Sequence, residues 1–271
     1  MRASSQAALD AAQDRWEPVL TGAGDDAVQL GRELFAVVDV LDASPALRRA
    51  LTDPGRDGED KAKVVTDLLG EKAPAEVVDL VAQMARSRWS AEEDFADALA
   101  RLAIDSVLAG AAANESLEQV EEEIFRVGRL LAENRELRLA LGDSSRAVDA
   151  RRRLAAQVFG DQVHPATSLL LQRSVGNVRH PSVVGGLNEI SELAAERRRR
   201  LVAVVTAAAP LTQEQTDRLA HILNRSYGRK VQVHVAVDPR VLGGLRIQIG
   251  DDVLDGTTIA RLDDARRRLA G

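Results

Sequence analysis

Apolar residues recur at steps of three and four along the first two-thirds of the chain. Leu30, Leu34, Val37 or Val38 and Leu41 form one series, and Val120, Ile124, Val127 and Leu131 form another. A helix turns once every 3.6 residues, so each series gathers into a single stripe that neighbouring helices must cover. Start and stop residues frame these stripes. Ser44-Pro45 supplies a cap and a first-turn proline for a short helix ending before Asp53-Pro54, and Asn134 can open its equivalent. The pattern also predicts helices over Glu59 to Leu69, Pro74 to Ser87, Glu92 to Ala109, Val148 to Phe159 and Ala166 to Asn177.

Beyond about Arg200 the period changes. Leu201 to Thr206, Val231 to Val237 and Leu245 to Gly250 are β-branched or alternate apolar with polar residues, as strands with one buried face do. Between the first two, Thr212 caps a helix that carries Leu219, Ile222 and Leu223 on one side and ends at Gly228; a last helix is expected from Thr258 to Leu269. The predicted tail is a small βαββα module. It follows one long helix, Pro181 to Arg200, that no glycine or proline breaks after Glu189.

The helical part repeats itself. Residues 37–53 lie over residues 127–143 at a constant offset of 90 without a gap, matching Leu41 with Leu131, Leu47 with Leu137, Arg48 with Arg138, Leu51 with Leu141 and Asp53 with Asp143. The register extends in both directions: Ala8, Leu9, Gln29 and Phe35 fall on Ala98, Leu99, Gln119 and Phe125, and Lys61, Lys63, Gly70 and Leu80 fall on Arg151, Arg153, Gly160 and Leu170. A shared register over so long a span marks a duplicated unit. The expected fold class is mainly α, with two tandem copies of a five- to six-helix bundle and a small α/β C-terminal domain. The corresponding boundaries are 1–92, 93–200 and 201–271, with the helix near Glu92 closing the first bundle and opening the second.

Composition narrows the chemistry. The chain has 271 residues, of which 45% are hydrophobic and 29% charged, so extensive disorder is not expected. Only 3% are aromatic, leaving few rings for a ligand pocket or for stacking on bases, and the net charge of -6 opposes general nucleic-acid binding. With no cysteine, thiolate catalysis, disulfides and thiolate metal sites are excluded. Residues Met1 to Leu20 do not read as a signal peptide, and no apolar run reaches the roughly 20 residues of a membrane helix. A soluble, intracellular protein without direct membrane insertion is the expectation.

No catalytic constellation emerges. Lys61, Lys63, Lys72 and Lys230 lack the Gly-Lys-Ser/Thr context of a phosphate loop, and His164, His180, His221 and His234 lack metal-ligand spacing, so surface or capping roles are expected for them. The pairs Asp251/Asp252 and Asp263/Asp264 are adjacent, which does not turn two carboxylates toward one point on a helix. No cofactor, metal or catalytic residue is assigned. Arg151 to Arg153 and Arg266 to Arg268 read as solvated helix faces. Arg197 to Arg200, where the two regions meet, can instead engage an acidic partner. Glu115, Glu118 and Glu121 to Glu123 read as an acidic helix start.

The stretch from Val237 to Thr257 combines Asp238-Pro239, Leu242-Gly243-Gly244, an alternating strand, Gly250-Asp251 and Asp255-Gly256. Mechanically these make a set of tight turns between strands, with positive φ expected at the paired glycines. Taken in order, and with Pro210 to Gln215 before them, they resemble the signature of the delta subunit of F-type ATP synthases, the oligomycin-sensitivity-conferring protein family. The resemblance covers residues of about 95–271, and the first copy is additional to a typical member. It implies a non-catalytic peripheral-stalk subunit at the cytoplasmic face of the plasma membrane, one per complex. Such a subunit joins the N-terminal segments of the alpha subunits to the stalk's b subunit and keeps proton flow coupled to ATP synthesis. By position, the resemblance places head contacts on the second copy's first helix (Phe95, Ala98, Leu99, Leu102) and fifth helix (Leu169, Leu170, Gln172, Arg173). The second copy, contiguous with the C-terminal module, is the expected head binder. A helical adaptor or an RNA-binding regulator is the competing reading.

Overall fold

The computed structural model describes residues 1–176, 179, 182–199, 201–227, 231–238, 240, 241, 243–249 and 252–255. The first copy opens with α1 (Ala3–Ala23), a 3₁₀ turn (Gly24–Asp26), α2 (Ala27–Ala43), α3 (Pro45–Thr52), α4 (Gly58–Leu69) and α5 (Ala75–Arg86). Then α6 (Glu92–Ala113) begins the second copy, with α7 (Leu117–Glu133), α8 (Arg135–Gly142), α9 (Val148–Phe159), α10 (Pro165–Ser174) and α11 (Val183–Arg199). The predicted repeat holds to the residue over much of this length, since α2, α3 and α4 start 90 positions before α7, α8 and α9.

Local chemistry repeats with the elements. The Ser44 side chain accepts from the Leu47 amide at the start of α3, and Asn134 accepts from Leu137 at the start of α8. Arg48 donates to the carbonyls of Leu41 and Asp42, and Arg138 to those of Leu131 and Ala132, satisfying the open end of the preceding helix in each copy. Asp53 and Asp143 each accept a backbone N–H two residues on, making the same turn twice. Some boundaries differ from the sequence-based expectation. The helix starting at Glu92 runs on to Ala113, and α10 stops at Ser174 because Gly176 takes φ +83, where an added Cβ would lie 2.6 Å from Val148. Asn177, His180, Pro181 and Arg200 lie outside the described residues.

The chain divides into two compact units, Met1–Arg197 and Arg198–Gly271. In the first, one continuous apolar core runs through α1 to α11, from Leu9 and Trp16 through Phe95, Leu99 and Leu102 to Leu187 and Ile190. Helix α6 is central: α2 packs along it, α1 lies beside it, and α7 and α10 contact it from the second copy. The contacts of α1 with the α6 region ascend together, Ser4 to Ser90, Ser5 to Asp94 and Trp16 to Ser106, so the two equivalent helices run side by side in one direction.

The second unit is a four-stranded mixed sheet in the order β2-β1-β3-β4, formed by β1 (Leu201–Ala207), α12 (Gln213–Tyr227), β2 (Val231–Val237), β3 (Leu245–Ile249) and β4 (Asp252–Asp255). Strand β1 pairs parallel with β2 and antiparallel with β3, and β3 pairs antiparallel with β4. Its small core contains Ala203, Val205, Leu223, Val231, Ile247 and Ile249. Thr212 and Gln215 form the reciprocal capping box that opens α12. The fourth strand was missing from the predicted βαββα pattern: Asp252 to Asp255 is too short and acidic to read as a strand, and only pairing with β3 defines it. The expected helix from Thr258 to Leu269 lies outside the described residues, as do Gly228, Lys230, Asp251, Asp263 and Asp264.

Candidate functional site

The residues proposed by position as head contacts fall into two groups. Phe95, Ala98, Leu99, Leu102 and Leu170 are at most 1% exposed, so the core occupies them. Phe95 packs edge-on against Trp89 from the preceding copy, with ring centroids 5.4 Å apart. Leu169 is half-buried, Gln172 donates to Ser168 on its own helix, and Arg173 turns inward to the first copy. The resemblance placed these contacts by position along the two helices, and position on a helix does not separate the buried side from the exposed one.

Arg173 donates to both carboxylate oxygens of Asp39 at 2.7 Å and lies over the Phe35 ring, 4.5 Å from its centroid. Arg152 approaches Asp39 at 3.6 Å, while Arg179 makes paired bonds to Asp42 at 2.7 and 2.9 Å and reaches Asp97 at 2.8 Å. Burial alone would raise the Asp39 pKa, but Arg173 and Arg152 outweigh it and hold the carboxyl below its ordinary value. At Asp97 burial prevails over Arg179 and the pKa is raised. All of these groups except Asp97 line a cavity of about 240 Å³ between α2, α6, α9, α10 and α11. Its charges are mutually paired, so it joins one copy to the other.

A second junction is more deeply buried. Arg197 donates to Glu17 at 2.7 and 3.0 Å and to Asp105 at 3.3 Å, tying α11 to α1 and α6. All three side chains are nearly inaccessible. Desolvation would lower the Arg197 pKa, yet the two carboxylates raise it above its ordinary value. Thus the first member of the Arg197 to Arg200 run serves an internal contact.

Glu123 was also missed. It lies inside α7, where its carboxylate accepts from the His164 amide at 2.8 Å, the Thr167 hydroxyl at 2.7 Å and Gln119 at 2.8 Å, capping α10 from another helix. Burial would raise its pKa, but the bonds from Thr167, Gln119 and the His164 backbone hold it below the ordinary Glu range. His164 caps α10 through Nδ1, as expected of a capping histidine.

Among the described residues of the first unit, a groove and a helix face are open. A groove of about 630 Å³ lies between α1 and α5, floored by Ala8, Ala12, Trp16, Leu80 and Met84 and edged by Ala11, Arg15 and Gln83. The positions 90 residues on from Ala8, Ala12 and Trp16 are Ala98, Leu102 and Ser106, all buried, with Ser106 accepting from the Trp16 indole at 2.8 Å. The groove therefore exists in the first copy and is filled in the second. The other surface is an exposed face of α7 bearing Phe125.

In the C-terminal motif, Gly243 and Gly244 take φ +72 and +81, the positive values expected of the pair. Asp238 closes its own turn: its amide donates to Ala207, and its carboxylate accepts from the amide and side chain of Arg240, which lower its pKa. Asp255 ends β4, whereas Pro239, Leu242, Gly250, Asp251 and Gly256 lie outside the described residues. Among the described residues there is no cluster of three metal-ligating side chains and no helix long and apolar enough to cross a membrane.

Fold and surfaces together define a helical scaffold with a small mixed-sheet module attached. The chain belongs to the ATP synthase delta (OSCP) subunit family, whose model matches residues 91–269. It is similar over its full length to proteins named ATP synthase subunit delta: 54% identical to that of Beutenbergia cavernae, covering all of both chains, and 40% identical to that of Streptomyces griseus, again covering all of both. The Streptomyces coelicolor protein of the same name is 43% identical over all of this chain and 98% of its own. These relatives carry the first copy too, although the family model begins after it.

Proposed function

We propose that this chain is a non-catalytic stator subunit, linking the head of an F-type ATP synthase to its b-subunit stalk at the cytoplasmic face of the plasma membrane. The full-length similarity to ATP synthase delta subunits carries this reading. The fold suits the task, since a body meant to resist torque needs its helices tied to one another. The Arg197 triad and the Arg173 and Arg179 pairs tie first-copy helices to the second copy. The N-terminal segments of the alpha subunits and the end of the b subunit are its partners in this proposal, with the C-terminal module taking the b subunit.

One observation favours the first copy as the head-binding element. Its groove between α1 and α5 is open, while the equivalent positions on α6 are covered. An amphipathic helix can lay its apolar face there against Ala11 and the partly exposed Val19. The test is co-purification of the full chain with head and b subunits. A chain that binds neither overturns the stator reading. Blocking the groove with Ala11→Arg and Gln83→Arg should release the head and leave the b subunit bound. Retention by that variant, with loss on Leu169→Arg and Gln172→Glu, would return the head site to the second copy.

A further inference from the structure

Helix α11 ends in a residue that its own pattern does not call for. Leu187, Ile190, Leu193 and Ala194 form the buried stripe of this helix, each at most 3% exposed, and Arg197 continues the same stripe one step further. A leucine there would extend the core without taking a charge out of water. The guanidinium is instead bound twice to Glu17 on α1 and once to Asp105 on α6, whose side chains are 9% and 4% exposed. By contrast Asp39, which pairs with Arg173 at the other junction, is 47% exposed. Buried ionic groups are often no more stabilising than apolar residues of similar volume, so equilibrium stability does not account for the choice.

What the triad supplies is resistance to displacement. The helical unit ends at Arg197 and β1 begins at Leu201, so a pull transmitted along the chain from the C-terminal unit arrives at this end of α11. A hydrogen bond is directional and weakens steeply once its length and angle depart from the optimum, whereas apolar burial is non-directional and lets one surface slide over another. Until water enters, drawing the guanidinium away also separates opposite charges in a medium of low dielectric, where their attraction is strong. We propose that Arg197 is a mechanical clasp, which keeps the end of α11 seated on α1 and α6 when force passes along the chain between the two units.

The place of the triad suits a clasp. Its three bonds lie at the end of the helix where pulling begins, so α11 cannot peel away from its C-terminus without breaking them first. Leu193, Ile190 and Leu187 are loaded only afterwards. Because Glu17 and Asp105 stand on different helices, one in each copy, the pull is shared between the copies instead of falling on one. The purpose of the clasp rests on the stator reading above, in which the head and the b subunit pull on different units. Its geometry does not.

The chain has no cysteine, so Arg56→Cys and Ala208→Cys give two unique handles on the full chain, one in the helical unit and one directly after β1. Optical tweezers hold this parent at constant force and measure the time to the first extension step. The comparison is with a triple form that adds Glu17→Met, Asp105→Leu and Arg197→Met. The triple form should unfold in denaturant close to the parent, yet release α11 about tenfold sooner under force. Arg197→Lys, with one ammonium in place of a fork, should fall between them. Equal lifetimes overturn the proposal, as does a first step in the triple form whose length does not match α11. Lifetimes shortened only in proportion to a loss of stability in denaturant overturn it too. In the assembled ATP synthase the triple form should hydrolyse ATP at the parental rate but build a smaller proton gradient, and a parental gradient counts against the clasp. A chain that purifies without any ATP synthase subunit overturns the stator reading, and the force measurement then decides the clasp by itself.

Discussion

Helices α2 and α7 hold the same place in two copies of one unit, yet one is a core element and the other has a free face. Gly31 and Gly110 let α2 and α6 meet at backbone distance, and the ring of Phe35 closes under Arg173. On α7, Glu121 and Arg129 stand where close approach needs Gly31 and Asp39. Caps, turns and stripes survived duplication because each copy must still form its helices. The contact surfaces did not, because the first copy packs against the second, and the second has no third to cover it. The duplication thus yields one bundle completed by its neighbour and one left open.

The strongest way to break this arrangement is at its buried triad. Arg197→Ala leaves Glu17 and Asp105 facing each other without a cation, which should cost about 3–5 kcal/mol of the first unit's stability. Chemical denaturation monitored by helical circular dichroism measures it. A loss below about 1 kcal/mol would show that the triad does not hold α1, α6 and α11 together. Replacing all three by apolar residues of similar size should recover most of the loss, because the charges attract only after a large desolvation cost.

Glu123 tests the second copy by itself. Glu123→Ala leaves the His164 amide and Thr167 hydroxyl without their acceptor and should cost about 2–3 kcal/mol. The sign of its pH dependence follows from its lowered pKa. The stabilisation is full above the ordinary Glu pKa of about 4.3 and disappears as pH falls through the lower folded value, so wild type and variant converge only in acid. A difference that persists unchanged at pH 2 would mean that the carboxylate charge is irrelevant. The first copy has no such site, since Val77 and Pro74 replace Thr167 and His164.

The sequence made some of this legible and concealed the rest for a physical reason. Helix positions, the caps at Ser44 and Asn134 and the paired glycines at 243 and 244 are set within a few residues of chain, where pattern determines structure. The Phe35 and Arg173 contact spans 138 positions, and a lone charge on an amphipathic helix looks solvated until the packing is known. Glu123 was hidden among Glu121 and Glu122, although it falls beside Val120, Ile124 and Val127 on the buried stripe. The candidate contacts Phe95, Leu99 and Leu102 show the converse: the resemblance placed them by position, and the packing buries them in the core. Exposure of Phe125, the counterpart of a buried ring, was legible only as a break between matched copies, after the contacts of Phe35 were known.

The smallest effects give the sharpest comparison, because they use one substitution on both helices. Gly31→Ala places a methyl 2.7 Å from Val107 and 2.9 Å from the Ala103 carbonyl, so α2 and α6 must separate slightly, at a net cost of about 1–2 kcal/mol after the gain in helix propensity. Gly128→Ala on α7 meets no atom within 4 Å, so only the propensity term remains and stability should rise by about 0.5–1 kcal/mol. Opposite signs for a single methyl would show that α6 leaves no space along α2 at Gly31, whereas the covered position Gly128 on α7 keeps room for one. If Gly128→Ala destabilises the free chain, the packing around Gly128 is tighter than the absence of any atom within 4 Å implies.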